Sequence, residues 1–331
     1  MDGIAWELLL AAAAGGAIGA TMGALQSFSI AGIAIIVGET YKLILYDSGG
    51  VASVDITLDI GLGPPFGPHV AFGGEAAEMA FIAAREDIDR TFPYHPAKEI
   101  TRGLGARADA LLVGAGFGIF GYLVAVISKE IGLPTDPVAL AIVISGFAHR
   151  VVFGYSFIGA SFRTVAQTIL SRKPGAEPWL PYQRQWLDVF VLGFFVGTLG
   201  GYLAWLTGSA FLAFGISAFS VLFLCCGVDE FPITHHITLP ASTAVVAAAG
   251  VDGGASAVTI STAVPLGSAL VIGGVAGVIG SVLGEATQRI FYAHAETHFD
   301  PPAASIIGST LLIAIAAWIG LLPGTAWIPT P

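Results

Sequence analysis

The chain has 331 residues and a mean hydropathy of +0.82, and only 11% of its residues are charged. Soluble domains carry about a quarter charged residues, so the composition excludes that class and predicts a polytopic all-α protein of the cytoplasmic membrane, with the lipid bilayer as its solvent. The net charge of -10 provides no basic surface for phosphates, which excludes nucleic acid as a partner.

Ten apolar segments follow one another along the chain, most of them near the ~20 residues that a membrane-spanning helix needs. They lie at residues 4–25, 28–46, 69–84, 108–128, 136–157, 185–206, 209–227, 236–250, 256–287 and 303–322. The third and the eighth are short, and each follows helix-breaking prolines. We expect these two segments to be short, broken or re-entrant.

Landmarks recur in the same order in both halves of the sequence. The glycine spacing of residues 114–121 returns at residues 273–280, and the fifth and tenth segments each open with an Asp-Pro pair, at Asp136 and Asp300. The pattern predicts two five-segment repeats, residues 1–156 and 185–331. A cytoplasmic or interfacial linker, residues 157–184, joins them.

The orientation of the repeats depends on the short segments. If all five segments of a repeat cross, the second copy enters from the opposite face and the repeats are inverted. If the short segments are re-entrant, the repeats are parallel. Both arrangements place the basic loop residues on one face, as the positive-inside rule requires. We prefer the inverted form because each short segment keeps an almost continuous apolar run, enough for a thinned or tilted crossing.

The strongest functional signal is a pair of proline-broken, histidine-bearing motifs at corresponding places in the two repeats. The first motif runs from Pro64 to Glu78 and the second from Asp229 to Pro240. The backbone is expected to be shaped by Pro64, Pro65, Gly67 and Pro68 in the first motif, and by Pro232 and Pro240 in the second. Interrupted helices leave peptide groups unpaired, so such backbone must be buried in protein or line a wet cavity. The motifs therefore predict a binding site where they meet near the membrane midplane.

Ionisable side chains accompany both motifs and are the candidate ligands of a substrate or ion. They are His69, Glu75 and Glu78 in the first motif and Glu230, His235 and His236 in the second. Ionisable groups at membrane depth are costly, and a bound proton or cation would compensate them. The structural alternative is that Glu78 pairs with Arg85, His69 caps a helix and the prolines only shape a turn. We expect His149-Arg150 to snorkel to the interface.

Catalytic and metal chemistry have weaker support in the sequence. No metal-ligand spacing is present, and the adjacent His235 and His236 diverge by about 100° on a helix, so they cannot both bind one metal. A metal site, if present, would use His69 and His236. We predict no catalytic residue and no cofactor, although a bound ion is compatible with the motifs.

These features favour a transporter or channel for a small solute or ion. Both need satisfied backbone and a polar path, so the sequence predicts either. One alternative is a membrane-embedded metal-dependent enzyme that uses the histidines and acids. Another is an accessory structural subunit of a membrane complex. Glycine-rich faces such as that of Gly114 and Gly118 predict close helix contacts, and they could also support a homo-oligomer.

Overall fold

A computed structural model of the chain describes residues 4–48, 50, 53–85, 92–170, 177–251 and 256–330. Within these ranges the chain forms helices and connecting loops, without strands, so the all-α prediction is confirmed. The α-helices are α1 (Trp6–Met22), α2 (Ala24–Ser48), α3 (Ala71–Ala83), α4 (Ala108–Glu130), α5 (Pro137–Val152), α6 (Phe162–Leu170), α7 (Trp186–Thr207), α8 (Leu212–Ser220), α9 (Leu222–Cys225), α10 (His235–Ala248), α11 (Ala257–Ala263), α12 (Leu266–Thr287) and α13 (Pro301–Trp318). Single π-helical turns span Ile56–Gly61 and Gln288–Tyr292, and a 3-10 turn spans Pro96–Lys98.

Five helices in the described part of the chain are long and apolar enough to cross a membrane. They are α4, α7, α13, residues Ala24–Tyr46 of α2, and α12 with the π turn that extends it to Tyr292. Large apolar side chains cover their outer surfaces, including Leu112, which is 74% exposed, and Phe195, which is 67% exposed. Water would not favour this surface, whereas lipid would. Shorter apolar helices are α1, α5 and the stretch Leu212–Cys225.

Each predicted apolar segment contains helix, and the short segments are short helices. Helix α3 has 13 residues and α10 has 14, so each is about 20 Å long, below the ~30 Å of a hydrocarbon core. The ninth segment is divided into α11 and α12 at Val264-Pro265. Proline lacks the amide hydrogen that would continue α11, and it is well placed to begin the next helix.

The helices form two bundles with the same internal pairing. Helices α1, α3, α4 and α5 pack together, and α7, α10, α12 and α13 pack in the corresponding way. Glycines allow the closest contacts. Gly16 of α1 lies against Gly114 of α4, and a Cβ on Gly197 of α7 would lie 2.7 Å from the Cα of Gly277 in α12. These glycine faces make contacts within the chain, and the homo-oligomer expected through glycine-rich faces stays a prediction.

The bundles join through α2 with α8 and through α5 with α13, and both pairs are antiparallel. In the second pair, Thr135 Oγ1, at the start of α5, lies 3.0 Å from Thr310 Oγ1 within α13. At the other end of α5, His149 Nε2 lies 3.2 Å from Thr297 Oγ1, just before α13. The first turn of α5 therefore lies beside the middle of α13, and the last turn of α5 lies beside the start of α13.

Arg150 of α5 fixes this junction, and the expectation that His149-Arg150 would snorkel to an interface is wrong. The side chain of Arg150 is fully buried. Its guanidinium donates to the carbonyl oxygens of Phe157 (2.8 Å), Phe291 (2.7 Å) and Thr297 (3.2 Å), and also to Thr297 Oγ1 (2.9 Å). Buried carbonyl and hydroxyl oxygens thus supply the hydrogen-bond acceptors that a membrane interface was expected to provide.

Candidate functional site

A cavity of about 900 Å³ lies between the two bundles and is called the central cavity below. Both proline and histidine motifs reach it. Its wall includes Pro64, Pro65, Pro68 and His69 from the first motif and Ile233, His235 and Leu239 from the second. The remaining wall comes mainly from α2, α4, α8, the starts of α5 and α13, and residues 179–182 of the predicted linker.

The first motif is an irregular chain segment between the π turn at Ile56–Gly61 and α3. Its prolines delay the start of α3 until Ala71. Gly73 N–H donates to the carbonyl of Pro68 at 2.9 Å. It therefore does not donate to the carbonyl of His69, four residues earlier, as it would in a regular helix. The His69 carbonyl instead lies against Gly121 of α4. The predicted backbone role of Gly67 fits the tight packing there, because a Cβ on it would lie 2.6 Å from the Gly63 oxygen.

In the second motif a histidine carbonyl also packs against a glycine, but the interrupting proline lies inside the helix. Pro240 lies inside α10 and has no amide hydrogen to offer the carbonyl of His236 four residues earlier. That carbonyl lies against Gly280 of α12. Pro232, by contrast, is exposed in the loop before α10, so the helical interruption lies at Pro240. His69 and His236 are therefore the corresponding histidines, each facing a glycine near the middle of a long helix.

Two aspartates at helix starts also face the central cavity. Asp136 Oδ1 accepts from the amides of Val138 (2.8 Å) and Ala139 (3.2 Å), and Asp300 Oδ2 accepts from Ala303 N–H at 2.9 Å. Each carboxylate thus caps the first turn of α5 or α13. Sequence reasoning used the two Asp-Pro pairs only as landmarks of the repeat. An aspartate before proline at the head of an apolar run is an N-cap signal, but sequence does not show that a cavity lies beside it.

Aromatic rings form a continuous wall on one side of the central cavity. The ring of Phe28 lies 4.8 Å from that of His235, 6.0 Å from that of Phe214 and 6.5 Å from that of Phe72, between centroids. Phe72 in turn lies 5.4 Å from the ring of His298. We call these five side chains the aromatic wall. They come from both bundles, so the wall exists only because the bundles meet.

We call the two polar ends of the central cavity its mouths, and the first mouth is a polar network near the end of α2. Lys42 Nζ lies 3.0 Å from Glu39 Oε1 and 2.9 Å from Asp55 Oδ1. Glu39 also accepts from Thr57 Oγ1 (2.6 Å) and Ser209 Oγ (2.5 Å). The buried carboxylate of Glu39 is therefore compensated by a cation and by hydroxyl donors.

The second mouth lies at the opposite end of α2, under the predicted linker. Lys98 Nζ donates to Glu177 Oε2 at 2.7 Å and lies 4.5 Å from the ring centroid of Tyr292. Tyr182 OH donates to the carbonyl of Phe231 at 2.8 Å, and Gln183 bonds the backbone of Ile233. The linker thus holds the second motif. Residues 171–176 of the linker lie outside the described residues.

The Lys98–Glu177 pair gives a pH-dependent stability prediction. Burial lowers the pKa of Lys98, and the hydrogen bond and charge of Glu177 oppose that decrease. In the Glu177→Gln variant we expect the Lys98 pKa to fall further. A lysine whose folded pKa is depressed destabilises the protein at low pH, and this cost is relieved as pH rises through the folded pKa.

The Glu177→Gln variant should therefore melt below the parent protein at pH 7, and the difference should shrink toward pH 10. Thermal unfolding in detergent across this range measures it. Glu7→Gln, at an exposed carboxylate near the start of α1, is the control. A difference that stays constant with pH would contradict the assignment.

Two of the six predicted ionisable site residues, His69 and His235, line the central cavity. His236 is buried away from it, against Gly284 of α12, where a Cβ would lie 2.9 Å from the imidazole Nε2. Glu230 is exposed in the loop before α10, with a φ of 56°. The structure thus brings together one histidine from each motif, but not the full predicted set.

Glu75 and Glu78 are fully buried on α3 but do not line the central cavity. The backbone amide of Ala24 lies near the Glu75 carboxylate, and no other hydrogen-bond donor meets the carboxyl oxygens of Glu75 or Glu78 among the described residues. The suggested pair of Glu78 with Arg85 is not formed there, since Arg85 lies over the ring of Phe81 at 4.9 Å. Their role as ion ligands stays a prediction.

Metal binding has no further support from the described residues, where no group of three or more histidine, cysteine, aspartate or glutamate side chains could hold an ion. A metal site on His69 and His236 stays a prediction.

Comparison with known proteins gives a family without an assigned activity. The model of the family of unknown function DUF7973 matches residues 1–175 and, a second time, residues 163–331. No curated protein and no solved structure matches the chain. Each match contains one of the two predicted repeats.

Proposed function

The chain belongs to DUF7973, a family of unknown function, and we propose that it is a multi-pass membrane transporter that binds a small solute in the central cavity. One observation carries this proposal. The cavity wall follows α2 from Leu25 to Tyr46, almost the full length of a helix that could cross a membrane. A cavity of that extent, with polar mouths at both ends, is suited to passing a solute.

The membrane position follows from the helix lengths and surfaces. With α4 and α12 across the bilayer, Gly121 and Gly280 lie near its midplane. The irregular motifs that pack on these glycines then lie at the same depth. Hydrocarbon cannot satisfy interrupted backbone, so the motifs must be enclosed by the two bundles or face water in the cavity.

We propose further that the two bundles are inverted repeats. Their internal helix pairing is the same, and the double family match supports a duplication. Copies related by an axis along the membrane normal would place equivalent helices parallel to each other. Equivalent helices here, α5 with α13 and α2 with α8, run antiparallel. Such antiparallel equivalents favour an axis in the membrane plane, and rocking of one bundle against the other would then give alternating access.

Thiol labelling tests whether the central cavity is reached from water. Cys225 and Cys226 are first replaced by serine, and a cysteine is then introduced at Ala139, which lines the cavity. We expect a charged, membrane-impermeant thiol reagent to label Ala139→Cys at least about tenfold faster than Ala204→Cys, because a thiolate reacts only where the reagent can reach it. Ala204 is the matched control, because both alanines are buried, at 2% and 0% exposed, and Ala139 lines the cavity whereas Ala204 does not.

The labelling is measured in proteoliposomes with reagent on one side or the other. Alternating access predicts that Ala139→Cys reacts from both sides. Equal, slow labelling of the two cysteines would remove the case for solute passage, since the cavity would then be sealed.

A further inference from the structure

The geometry of the central cavity points to the chemical class of its ligand, an inference that rests on the proposed function. We propose that the transported solute is a small organic cation, held between the aromatic wall and the carboxylate of Asp300, with Asp136 as a second acidic position farther along the same cavity. The argument rests on the charge balance of the cavity, the position of the two aspartates and the aromatic wall.

Acidic side chains outnumber basic ones around the central cavity. In the described part of the chain, its lining includes the carboxylates Glu39, Asp55, Asp59, Glu99, Asp136 and Asp300 and the lysines Lys42, Lys98 and Lys129. Lys42 is bound by two of these carboxylates, and Lys98 is bound by Glu177. The cavity thus favours cations over anions.

Asp136 and Asp300 line the cavity at the starts of α5 and α13. Asp136 N–H donates to Thr310 Oγ1 at 3.1 Å, ten residues after Asp300, so the two carboxylates occupy separate positions along the cavity. Asp136 is 7% exposed, and among the described ion pairs neither aspartate contacts a lysine or an arginine. The nearest ring nitrogen, His298 Nε2, lies 3.7 Å from Asp300 Oδ1. The N-cap hydrogen bonds use only one carboxylate oxygen of each aspartate. A buried carboxylate is costly without a countercharge, and a bound cation would provide one.

The aromatic wall adds the second recognition element. The faces of aromatic rings attract cations within about 6 Å of the centroid, most strongly where water is excluded. The wall lies beside Asp300 through His298, so one ligand can contact rings and carboxylate together. An inorganic ion would need several oxygen ligands, which this wall does not offer. The volume of about 900 Å³ is within the range of small-molecule sites, which are mostly apolar with a few polar groups.

The test compares three molecules of nearly the same shape and different charge. Choline is cationic, 3,3-dimethylbutan-1-ol is neutral, and 3,3-dimethylbutanoate is anionic. Each is titrated against thiol labelling of Ala139→Cys, and radiolabelled choline uptake into proteoliposomes is measured in parallel. We expect choline to protect the thiol at a concentration about tenfold lower than the neutral alcohol, and the anion not to protect it.

Variants locate the charge recognition. Asparagine also caps helices well, so Asp136→Asn and Asp300→Asn should fold. Asp300→Asn should raise the choline concentration needed for half-protection about tenfold, Asp136→Asn should raise it less, and both should leave protection by the neutral alcohol unchanged. Asp188→Asn is the control, because Asp188 is exposed in the first turn of α7 and does not line the cavity.

The outcomes separate the two proposals. Equal protection by choline and the neutral alcohol, or labelling that choline does not slow, would overturn the cation class and leave a solute cavity in place. Failure of Ala139→Cys to label at all would instead overturn the proposed function and this inference with it. Choline protection that survives in Asp300→Asn would overturn the assignment of Asp300.

Discussion

Arg150→Met is expected to lower the free energy of unfolding by about 3–5 kcal/mol, because several buried oxygen acceptors lose their hydrogen-bond donor at once. The substitution keeps a long side chain but removes every donor. The carbonyls of Phe157, Phe291 and Thr297 would lose a charged partner, and unpaired buried acceptors cost about 1–3 kcal/mol each. Because these bonds connect α5 to the loop before α13, the junction between the bundles should loosen.

Thermal unfolding in detergent measures the effect of Arg150→Met. Arg85→Met is the control, since Arg85 is exposed and lies over the Phe81 ring, and surface changes of this kind stay within about 0.5 kcal/mol. Arg150→Lys should recover only part of the loss, because an ammonium cannot reproduce the fork of a guanidinium. Equal melting of the two methionine variants would show that the Arg150 bonds contribute little.

Gly121→Ala is expected to destabilise the protein by about 1–3 kcal/mol, as overpacking of a filled interior does. The new Cβ would meet the backbone carbonyl of His69, and backbone cannot rotate away. Gly116→Ala in the same helix is the matched control, because nothing lies within 4 Å of the added atom. Alanine there should be neutral or stabilising by up to about 1 kcal/mol.

The second bundle repeats this comparison. A Cβ on Gly280 of α12 would lie 3.1 Å from Pro240 Cγ and would also meet the carbonyl of His236, whereas Gly267 in the same helix has open space. Gly280→Ala should therefore destabilise the protein and Gly267→Ala should not. Opposite results in the two bundles would argue against equivalent packing of the two motifs.

The sequence predicts the helical framework because its signals are local. Apolar run length and proline position gave the ten segments, including the short α3 and α10. The division at Val264-Pro265 was missed because the apolar run continues through it, although the proline is a helix-start signal.

Contacts between residues far apart in the chain could not be predicted from local sequence signals. Arg150 bonds to Thr297, which is 147 positions away in the chain, so a local reading could only expect it at an interface.

The candidate site was predicted in part, and helical geometry explains what was missed. Prolines mark the interrupted backbone near His69 and His235, and both histidines face the central cavity. Along α3, each step of three residues turns back by about 60°. Phe72 faces the cavity, so Glu75 and Glu78 turn progressively away from it. Asp136 was seen but not assigned to the site, because its place beside a cavity depends on how the two bundles meet.

The linker is the one part of the proposed architecture without a duplicate, and residues Glu177–Arg184 cover only the second mouth. An exact two-fold would make the inward-open and outward-open forms equal in energy. Here, opening the second mouth must separate Lys98 from Glu177 and Tyr182 from Phe231, whereas the first mouth is held by a different set of bonds. In the proposed transporter the resting population would therefore be biased toward one orientation, and the linker would be the segment through which a cell could tune that bias.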